Sequence, residues 1–400
     1  MPDPRHARRI QGLGTTVFSR MTALATEHDA VNLGQGFPDE DPHPALVEAV
    51  DRAMRDGHHQ YAPGPGVPRL REAVAAHQQR HQGLVFDPDT DVTITFGATE
   101  AIAAAVLGLC DPGDEVLVVE PVYDAYSAVI ALAGGVEVRV ALDPPPHGAP
   151  DTGWRLDPGR LAAAVTPRTR LLILNSPHNP TGAVFDTDLL DAIAATCVEH
   201  DLVAITDEVY EHLVYDGRHV SLATRPGMEA RTVTVSSAGK TFSCTGWKVG
   251  WACARGELSS AVRATKQYLS FSGGTPFQHA IADALRLPDA VVHEVADRNR
   301  RRRDLVVDAL RGLGLPTVRS AGTYFVTADL APVGFDDADA FCHWAPGAIG
   351  LAAVPVSAFV LDPAPVRSLV RLAFCKCDAV LAEGMERLAG ALTGRSTSRP

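Results

Sequence analysis

A lysine lies among small residues directly after a strand-like apolar run. Lys240 stands in the stretch Ser236–Phe242, which follows Arg231–Val235, and a second cation, Lys248, comes shortly afterwards. The amine of a lysine in so confined a setting is a nucleophile for aldehydes, with which it forms an imine. The pattern therefore predicts a lysine that binds the aldehyde of pyridoxal 5′-phosphate (PLP), a cofactor that enables reactions of amino acids.

A carboxylate and a phenol follow a neighbouring predicted strand. Asp207 and Tyr210 come directly after Leu202–Thr206. A carboxylate in this place can keep a pyridine nitrogen protonated, so that the ring accepts the electrons left when a bond to Cα breaks. A phenol can donate a hydrogen bond to the ring oxygen. The alternative for this motif is an aspartate that caps a helix and a tyrosine that packs in the core.

Two more polar motifs stand at strand ends. Gly97–Glu100 follows Val92–Phe96 and opens a helix, whose free backbone N–H groups and positive dipole end form a phosphate site. Asn175–Gly182 follows Arg170–Leu174, and its two asparagines and two prolines make a rigid loop. Taken alone, each motif is also typical of an ordinary helix start or turn.

An arginine lies inside a predicted strand near the end of the chain. Arg371 is surrounded by apolar residues in Val370–Phe374. A guanidinium in such a stretch must meet an anion or keep its head in water, and a bidentate grip on a substrate carboxylate suits it. A structural ion pair is the alternative.

The elements that position these residues predict an α/β fold. Between about residues 90 and 255, near-continuous apolar strands alternate with helices such as Thr99–Leu109 and Leu189–His200. This order predicts a mostly parallel sheet flanked by helices, and ligands of such sheets gather at the carboxyl ends of the strands. The predicted strands are Val92–Phe96, Glu115–Val119, Val136–Leu142, Arg170–Leu174, Leu202–Thr206, Thr232–Val235 and Val249–Ala254.

The chain ends predict a second, smaller unit. Residues 1–44 are rich in loops, and residues 286–400 combine a long helix with strands at Gly322–Asp329 and Leu369–Phe374. We expect these two segments to form one small α+β domain beside a large PLP-binding domain at 45–285. The last residues, Arg395–Pro400, are expected to be disordered.

The composition excludes several classes of function. The chain has 400 residues and a formal charge of −12, which argues against nucleic-acid binding. Its basic run Arg300–Arg303 is expected to be a solvated helix face. No segment predicts a secretory signal or a membrane span. Seven scattered cysteines favour a reducing cytoplasm and give no metal-ligand spacing, so no metal site is predicted.

With these motifs, the chain resembles the PLP-dependent aminotransferases of class I/II, which have the aspartate-aminotransferase fold. The resemblance extends from Val31–Asp39 to Phe374–Lys376. Within the family the chain is most similar to the kynurenine/methionine aminotransferase branch. There it most resembles the actinobacterial enzymes assigned as N-succinyldiaminopimelate aminotransferase, above all in Gly97–Leu109 and Asp207–Val214.

The resemblance implies a role for each motif residue. Lys240 would form the imine with the cofactor and move the proton, Asp207 would pair with the pyridine nitrogen, and Tyr210 would bond the ring oxygen. These three are the implied catalytic residues. The other implied cofactor contacts are Ala98, Thr99, Tyr123, Asn179, Ser237 and Lys248, with Tyr61 reaching the phosphate from a neighbouring subunit.

The resemblance also implies how substrate binds. Arg371, Gly36 and Asn179 would hold the α-carboxylate, and Phe18 would stand where the branch has a tryptophan. The role of Tyr61 implies a homodimer with shared active sites. At Ser272–Pro276, where animal kynurenine aminotransferases carry an aromatic pair, this chain has small residues. This departure argues against kynurenine and suits a longer substrate.

The expected reaction is a ping-pong transfer of an amino group between an L-amino acid and a 2-oxo acid. Glutamate and 2-oxoglutarate are the expected donor pair, and N-succinyl-LL-diaminopimelate is the expected substrate. The alternatives are a kynurenine-, methionine- or glutamine-type aminotransferase, a cysteine-conjugate β-lyase, or a PLP enzyme of a specialised pathway. A regulatory protein with an inactive fold of this kind is a further alternative, against which the presence of Lys240 and Asp207 argues.

Overall fold

The computed structural model describes residues 5–146 and 149–393. The expected disorder of Arg395–Pro400 therefore lies outside the described residues. The described strands are β1 Val31–Asn32, β2 Val92–Phe96, β3 Glu115–Glu120, β4 Val136–Ala141, β5 Thr169–Asn175, β6 Val203–Asp207, β7 Thr232–Ser237, β8 Val249–Cys253, β9 Thr317–Val318, β10 Phe325–Asp329, β11 Leu351–Ala352, β12 Val354–Pro355 and β13 Leu369–Ala373.

Helices separate most of these strands. They are α1 Val17–Glu27, α2 Pro44–Arg55, α3 Pro68–Gln82, α4 Gly97–Leu109, α5 Asp124–Ala133, α6 Pro158–Ala163, α7 Thr187–Glu199, α8 Ala238–Thr241, α9 Gly256–Leu269, α10 Thr275–Ala284, α11 Asp289–Gly312, α12 Ala338–Ile349 and α13 Asp378–Thr393. Short 3₁₀ turns occur between some of them.

A seven-stranded sheet forms the centre of the molecule. Its order is β2-β8-β7-β6-β5-β3-β4, and neighbours from β7 to β4 run parallel. β8 is antiparallel to both of its neighbours. Strands β3, β7 and β8 are buried along their whole length, as expected of a sheet covered by helices on both faces. The predicted α/β fold with a mostly parallel sheet is confirmed, and the predicted strands match within two residues.

The alanine-rich helix α4 shows how closely the covering layer packs. Ala101, Ala104 and Ala105 are fully buried, and the helix lies between the sheet and α9. A Cβ at Gly108 would come within 2.8 Å of the Ala261 carbonyl oxygen. Small side chains therefore permit this close contact between the carboxyl-terminal part of α4 and α9.

A second sheet is formed by the C-terminal part of the chain. It has four strands in the order β12-β13-β10-β9, all paired antiparallel. Beside it, β1 pairs with β11 in parallel, and the Ala373 amide donates to the Leu33 carbonyl at 2.7 Å. The segment after β1 is therefore fixed next to β13, the strand that carries Arg371.

The basic run on α11 differs from the prediction of a solvated face. Arg302 and Arg303 are buried, whereas the two arginines before them are exposed. Arg302 binds Glu40 at 2.6 Å and Asp378 at 2.7 Å, and Arg303 binds Asp216 at 2.6 Å. The acidic partners come from distant parts of the chain, so the periodicity of the helix alone did not indicate them.

No helix among the described residues is both long enough and apolar enough to cross a lipid bilayer.

Candidate active site

A cavity of about 450 Å³ opens at the carboxyl edge of the seven-stranded sheet. The strand ends meet there because the register places Asn175 beside Asp207 and Asp207 beside Val235. The loop after β1 and strand β13 close the cavity from the other side, where they contribute Gly36 and Arg371. The motifs that the sequence placed at separate strand ends therefore line one common space.

Lys240 lies on α8, which begins directly after β7. Its Nζ donates to the Tyr324 hydroxyl at 2.6 Å and lies 3.4 Å from the Gly36 carbonyl oxygen. Burial lowers the pKa of the Lys240 amine from 10.5 to about 8, because the charged form loses water. Part of the Lys240 amine is therefore uncharged near pH 7, and this part is available as a nucleophile or a base.

Asp207 ends β6 and is only 6% exposed. The Tyr126 hydroxyl donates to Oδ2 at 2.6 Å, and the Val209 amide donates to Oδ1 at 3.3 Å. Burial raises the pKa of Asp207, although both hydrogen bonds act in the opposite direction. A cationic N–H group bound beside this carboxylate would offset the cost of its burial.

The amino end of α4 faces the same cavity. Gly97 has φ +67°, and a Cβ at this position would lie 3.2 Å from the Lys248 Nζ. Ala98 and Thr99 follow in the first turn of the helix, and Ser237 lines the cavity beside them. An ammonium group beside free helix N–H groups forms a binding site for an anion such as a phosphate.

Arg371 is fully buried in the opposite wall. Its Nη1 donates to Asn179 Oδ1 at 3.0 Å, and its Nη2 donates to the Gly34 carbonyl at 2.6 Å. Its Nε is buried and has no hydrogen-bond partner in the described chain. Burial lowers the pKa of Arg371 to about 10, and among the described residues no carboxylate pairs with it. The described residues therefore do not form the structural ion pair that was the alternative prediction for Arg371. A carboxylate ligand suits the site.

Aromatic rings form the rest of the wall. Phe18 lies 6.2 Å from Tyr123 and 5.1 Å from the Arg371 guanidinium, measured to ring centroids. Tyr210 packs edge-on against Tyr324 with centroids 5.1 Å apart. Burial raises the pKa of Tyr123 to about 12, so its phenol stays protonated. Phe18, Tyr123 and Tyr210 therefore reach the cavity as the sequence predicted.

Two predicted contacts depend on close backbone approach. Asn179 lines the cavity, and its backbone N–H donates to Asn175 Oδ1 at 2.7 Å. Gly36 allows the rings of Tyr324 and Phe325 to come near, since a Cβ there would lie 2.5 Å from the Phe325 ring. A larger residue than glycine would push these rings away from Lys240.

Tyr61 does not line this cavity. Its side chain is 81% exposed and packs only edge-on against Phe271, with centroids 5.7 Å apart. Gly273 and Gly274 also lie outside the cavity lining, and a Cβ at Gly273 would come within 1.9 Å of the Phe96 ring. The predicted contact of Tyr61 with a phosphate in a neighbouring subunit stays a prediction.

Three residues of the site were missed by sequence reasoning. Tyr324 holds the Lys240 amine, Tyr126 holds the Asp207 carboxylate, and Asn175 donates from Nδ2 to the Asp207 carbonyl at 2.8 Å. Tyr126 lies three residues after Tyr123, which directly precedes α5, and this spacing was an available signal because it brings the two rings to 5.6 Å. Tyr324 carried no local signal, because its partner lies 84 residues away in the chain.

These residues fit a phosphorylated pyridine aldehyde. The cavity combines a half-buried amine with a lowered pKa, a buried carboxylate and an anion site at a helix amino end. These three groups match the aldehyde, the ring nitrogen and the phosphate of PLP. The donor set therefore agrees with the cofactor that the sequence predicted.

Comparison with known proteins places the site in a family. Residues 28–391 match the family described as aminotransferase class I and II. The chain is 52% identical over 390 residues to a probable N-succinyldiaminopimelate aminotransferase of Mycobacterium tuberculosis, covering 95% of this chain and 97% of that protein. It is 42% identical over 381 residues to the methionine aminotransferase of Escherichia coli, with 95% and 97% covered.

A solved structure shares the whole architecture. The structure of N-succinyldiaminopimelate aminotransferase from Mycobacterium tuberculosis superposes with a TM-score of 0.94 at 52% identity, covering 97% of this chain and all of that one. These similarities confirm the fold and the predicted resemblance, including its methionine and N-succinyldiaminopimelate relatives.

Proposed function

Because the chain belongs to the aminotransferase class I and II family, and is therefore an enzyme that uses PLP, we propose that this cavity transfers an amino group between N-succinyl-LL-diaminopimelate and 2-oxoglutarate. Glutamate is then the donor in the reverse direction. The observation that carries the proposal is the convergence of Lys240, Asp207 and Arg371 on one cavity.

We assign the cofactor contacts from the cavity lining. Lys240 is within the space that the aldehyde would enter, and Asp207 is placed to hold a protonated ring nitrogen. Tyr123 supplies a face for the ring, and Tyr210 with Asn179 supplies hydrogen bonds to its hydroxyl oxygen. The groups assigned to the phosphate are the Ala98 and Thr99 amides, Ser237 and Lys248. When bound, PLP accepts the electrons released as the bond between Cα and hydrogen breaks.

Lys240 is the group that moves the proton. An ordinary lysine is almost fully protonated at neutral pH, whereas a pKa of about 8 leaves part of the Lys240 amine free to act as a base. Tyr324 and the Gly36 carbonyl hold the amine at the edge of the cavity. This position lets the same nitrogen remove a proton from Cα and return it to a neighbouring carbon.

Arg371 is the group that orients the substrate. Its fixed contacts with Asn179 and Gly34 keep the guanidinium plane in place. The Phe325 ring lies 4.0 Å from the guanidinium carbon and excludes water on one side. A carboxylate bound there would be held firmly at a defined distance from Lys240, which favours proton transfer over release.

The choice of N-succinyl-LL-diaminopimelate is supported by similarity and by a local departure. The M. tuberculosis relative named for that substrate is 52% identical over nearly the whole chain. In a homodimer with shared active sites, the small residues at Ser272–Pro276 would border the neighbouring subunit's cavity, where they leave out two rings that would shorten the space for a side chain. Methionine is the second candidate, because the E. coli methionine aminotransferase is 42% identical.

A half-reaction tests the proposal directly. Enzyme loaded with PLP is mixed with one amino acid at a time, and conversion of the cofactor to pyridoxamine phosphate is followed by absorbance. N-succinyl-LL-diaminopimelate should convert the cofactor faster than methionine, glutamine or kynurenine, with glutamate as the reference donor. Faster conversion by methionine would replace the proposed substrate. Release of pyruvate and ammonia from cysteine conjugates without an acceptor would indicate β-elimination instead.

We also propose a homodimer in which Tyr61 serves the partner's site. Tyr61 and Tyr268 are 81% and 85% exposed, and Leu269 and Phe271 beside them are also exposed. Such an apolar surface is typical of an interface. Mixing subunits that carry Tyr61→Ala with subunits that carry Lys240→Ala should restore activity above that of either variant, because one site then has both native residues. Absence of restoration, or a monomeric mass by light scattering, would rule out the shared site.

The remaining organisation is proposed on the same basis. We propose a large PLP-binding domain at 45–285 and a small domain formed by 1–44 and 286–400, since β1 pairs with β11. All seven cysteines are free, which supports a reducing compartment such as the cytoplasm.

A further inference from the structure

Three histidines meet on the far side of the segment that carries Asp207. His77 and His81 are one turn apart on α3, and His212 follows β6. One ring nitrogen of each histidine lies within 4.8 Å of those of the other two. The Nε2 atoms of His77 and His212 are 2.9 Å apart. Two histidines at i and i+4 on one helix are a spacing typical of transition-metal sites.

An imidazole ring offers a nitrogen lone pair that can bind a cation, and the three rings hold such nitrogens within 4.8 Å of one another.

Unsatisfied polar atoms surround this cluster. His77 is only 2% exposed, and its Nδ1 has no hydrogen-bond partner among the described residues. The Glu211 Oε2 likewise has no partner there, while Glu211 Oε1 lies 3.9 Å from His77 Nε2. Buried polar atoms without partners are rare in proteins, so the polar groups around the cluster are not fully satisfied by the described residues.

The cluster borders a second cavity of about 620 Å³. His81, His212 and Glu211 line it, together with His219 and His293 from other elements. A ligand can therefore reach the His81 and His212 rings from this cavity.

We propose that His77, His81 and His212 bind a divalent transition-metal ion, for which Zn²⁺ is the best match. Imidazole nitrogens are preferred ligands of Zn²⁺, and three histidines with an open fourth position form a known type of zinc coordination. Ligands at 2.0–2.1 Å in a tetrahedron lie about 3.3 Å apart, close to the separation of His77 and His212. His81 completes the site by a small rotation of its half-buried ring.

Two existing contacts must change. The Nε2 atoms of His77 and His212 share a hydrogen bond, which must break so that both lone pairs can face the ion. The second contact is at His81. Arg80 Nε donates to His81 Nε2 at 3.1 Å, and the same guanidinium lies 3.4 Å from Asp289. The Arg80 side chain is 41% exposed, so it can turn towards Asp289 and water when a cation binds. The proposal is independent of the proposed amino-acid substrate, and it departs from the sequence prediction that the chain has no metal site.

Metal analysis of the PLP-loaded enzyme tests the proposal. The protein is dialysed against ZnCl₂ without any amino acid, and bound zinc is measured over a range of free concentrations. We expect one Zn²⁺ per chain, and we expect His77→Gln and His81→Gln to weaken binding by at least ~100-fold, more than the loss of a group that only supports a ligand. Less than stoichiometric zinc in the native enzyme, or unchanged binding in both variants, would overturn the proposal.

A matched control comes from another pair of histidines. His58 and His279 stack with ring centroids 3.6 Å apart but have no third histidine within ligand distance among the described residues. His58→Gln should therefore leave zinc binding unchanged, and an equal loss in this variant would count against the cluster.

X-ray absorption at the zinc edge of the native enzyme requires no variant and covers the case in which a variant fails to fold. Three imidazole nitrogens at 2.0–2.1 Å support the site, whereas a sulfur shell would assign the ion to cysteines and overturn it.

Discussion

The segment Asp207–His212 carries two kinds of chemistry on its two sides. Asp207 and Tyr210 face the cavity of the aminotransferase site, whereas Glu211 and His212 face the cavity beside the histidine cluster. The first side follows a motif at a strand end, and its function could be inferred from residue types. The second side has only a partial motif, the pair His77 and His81 on α3, because its third histidine, His212, lies more than 100 residues later in the chain. One short segment can thus combine a site that is visible in the sequence with one that only folding assembles.

Removing the amine of the first side should have the largest effect. Lys240→Ala deletes both the nucleophile for the cofactor aldehyde and the group that moves the proton, so kcat should fall by at least ~10⁴-fold. Lys240→Arg keeps a cation but supplies no comparable nucleophile, and it should be equally inactive. The measurement is glutamate:2-oxo acid transfer at saturating PLP, with circular dichroism to verify folding. Activity near the native level in either variant would remove Lys240 from its proposed role.

Two adjacent carboxylates offer the most direct comparison of the two sides. Asp207→Ala should lower kcat by about 10²–10³-fold, because the ring nitrogen loses its anionic partner. Glu208→Gln should lower kcat by less than ~10-fold, since its carboxylate accepts from Ser221 and His219, both at 2.8 Å, outside the active cavity. The Glu208 variant should instead lose about 1–3 kcal/mol of unfolding free energy. Equal losses of activity would show that the two sides are not functionally separate.

The lowered pKa of Lys240 predicts a pH dependence of cofactor uptake. Only the neutral amine attacks an aldehyde, and the amine of the apoenzyme titrates at about 8. The rate of reconstitution with PLP should therefore rise about tenfold per pH unit up to pH 8 and level off above it. Stopped-flow absorbance checks this in the apoenzyme. A rise that continues to pH 10 would mean that burial does not depress this pKa.

The smallest predicted effect concerns a residue that acts through Asp207. Tyr126→Phe removes the 2.6 Å hydrogen bond to Oδ2 and should lower kcat about tenfold, equivalent to ~1.4 kcal/mol. Because Asp207 would lose a bond to its charged form, its pKa should rise, and the acid limb of the pH–rate profile should move to higher pH. Tyr215→Phe is the matched control, since this buried phenol bonds the Thr323 carbonyl away from the cavity. A shift of the same size in the control would indicate a general loss of stability.

Much of the fold could be predicted because its signals are local. A buried parallel strand needs a continuous apolar run, so β2 was predicted with its observed bounds and the other strands of the large sheet within two residues. Helices such as α3 and α9 were not placed, because they mix polar and apolar residues, although Pro68 and Gly83 mark the ends of α3. The prediction of a solvated face was wrong for the two buried arginines of α11, because their acidic partners are distant in sequence.

The sequence by itself determined the residues that follow the strands, among them Lys240, Asp207 and Asn179. Parallel strands bring their carboxyl ends to one edge, so residues at those ends converge whatever the loops do. Only the tertiary structure decided which side chains complete each site. Tyr324 reaches Lys240 over 84 residues, Tyr126 reaches Asp207 over 81, and His212 reaches His77 over 135. Such pairings depend on how separate elements pack, and no local pattern of residue types records them.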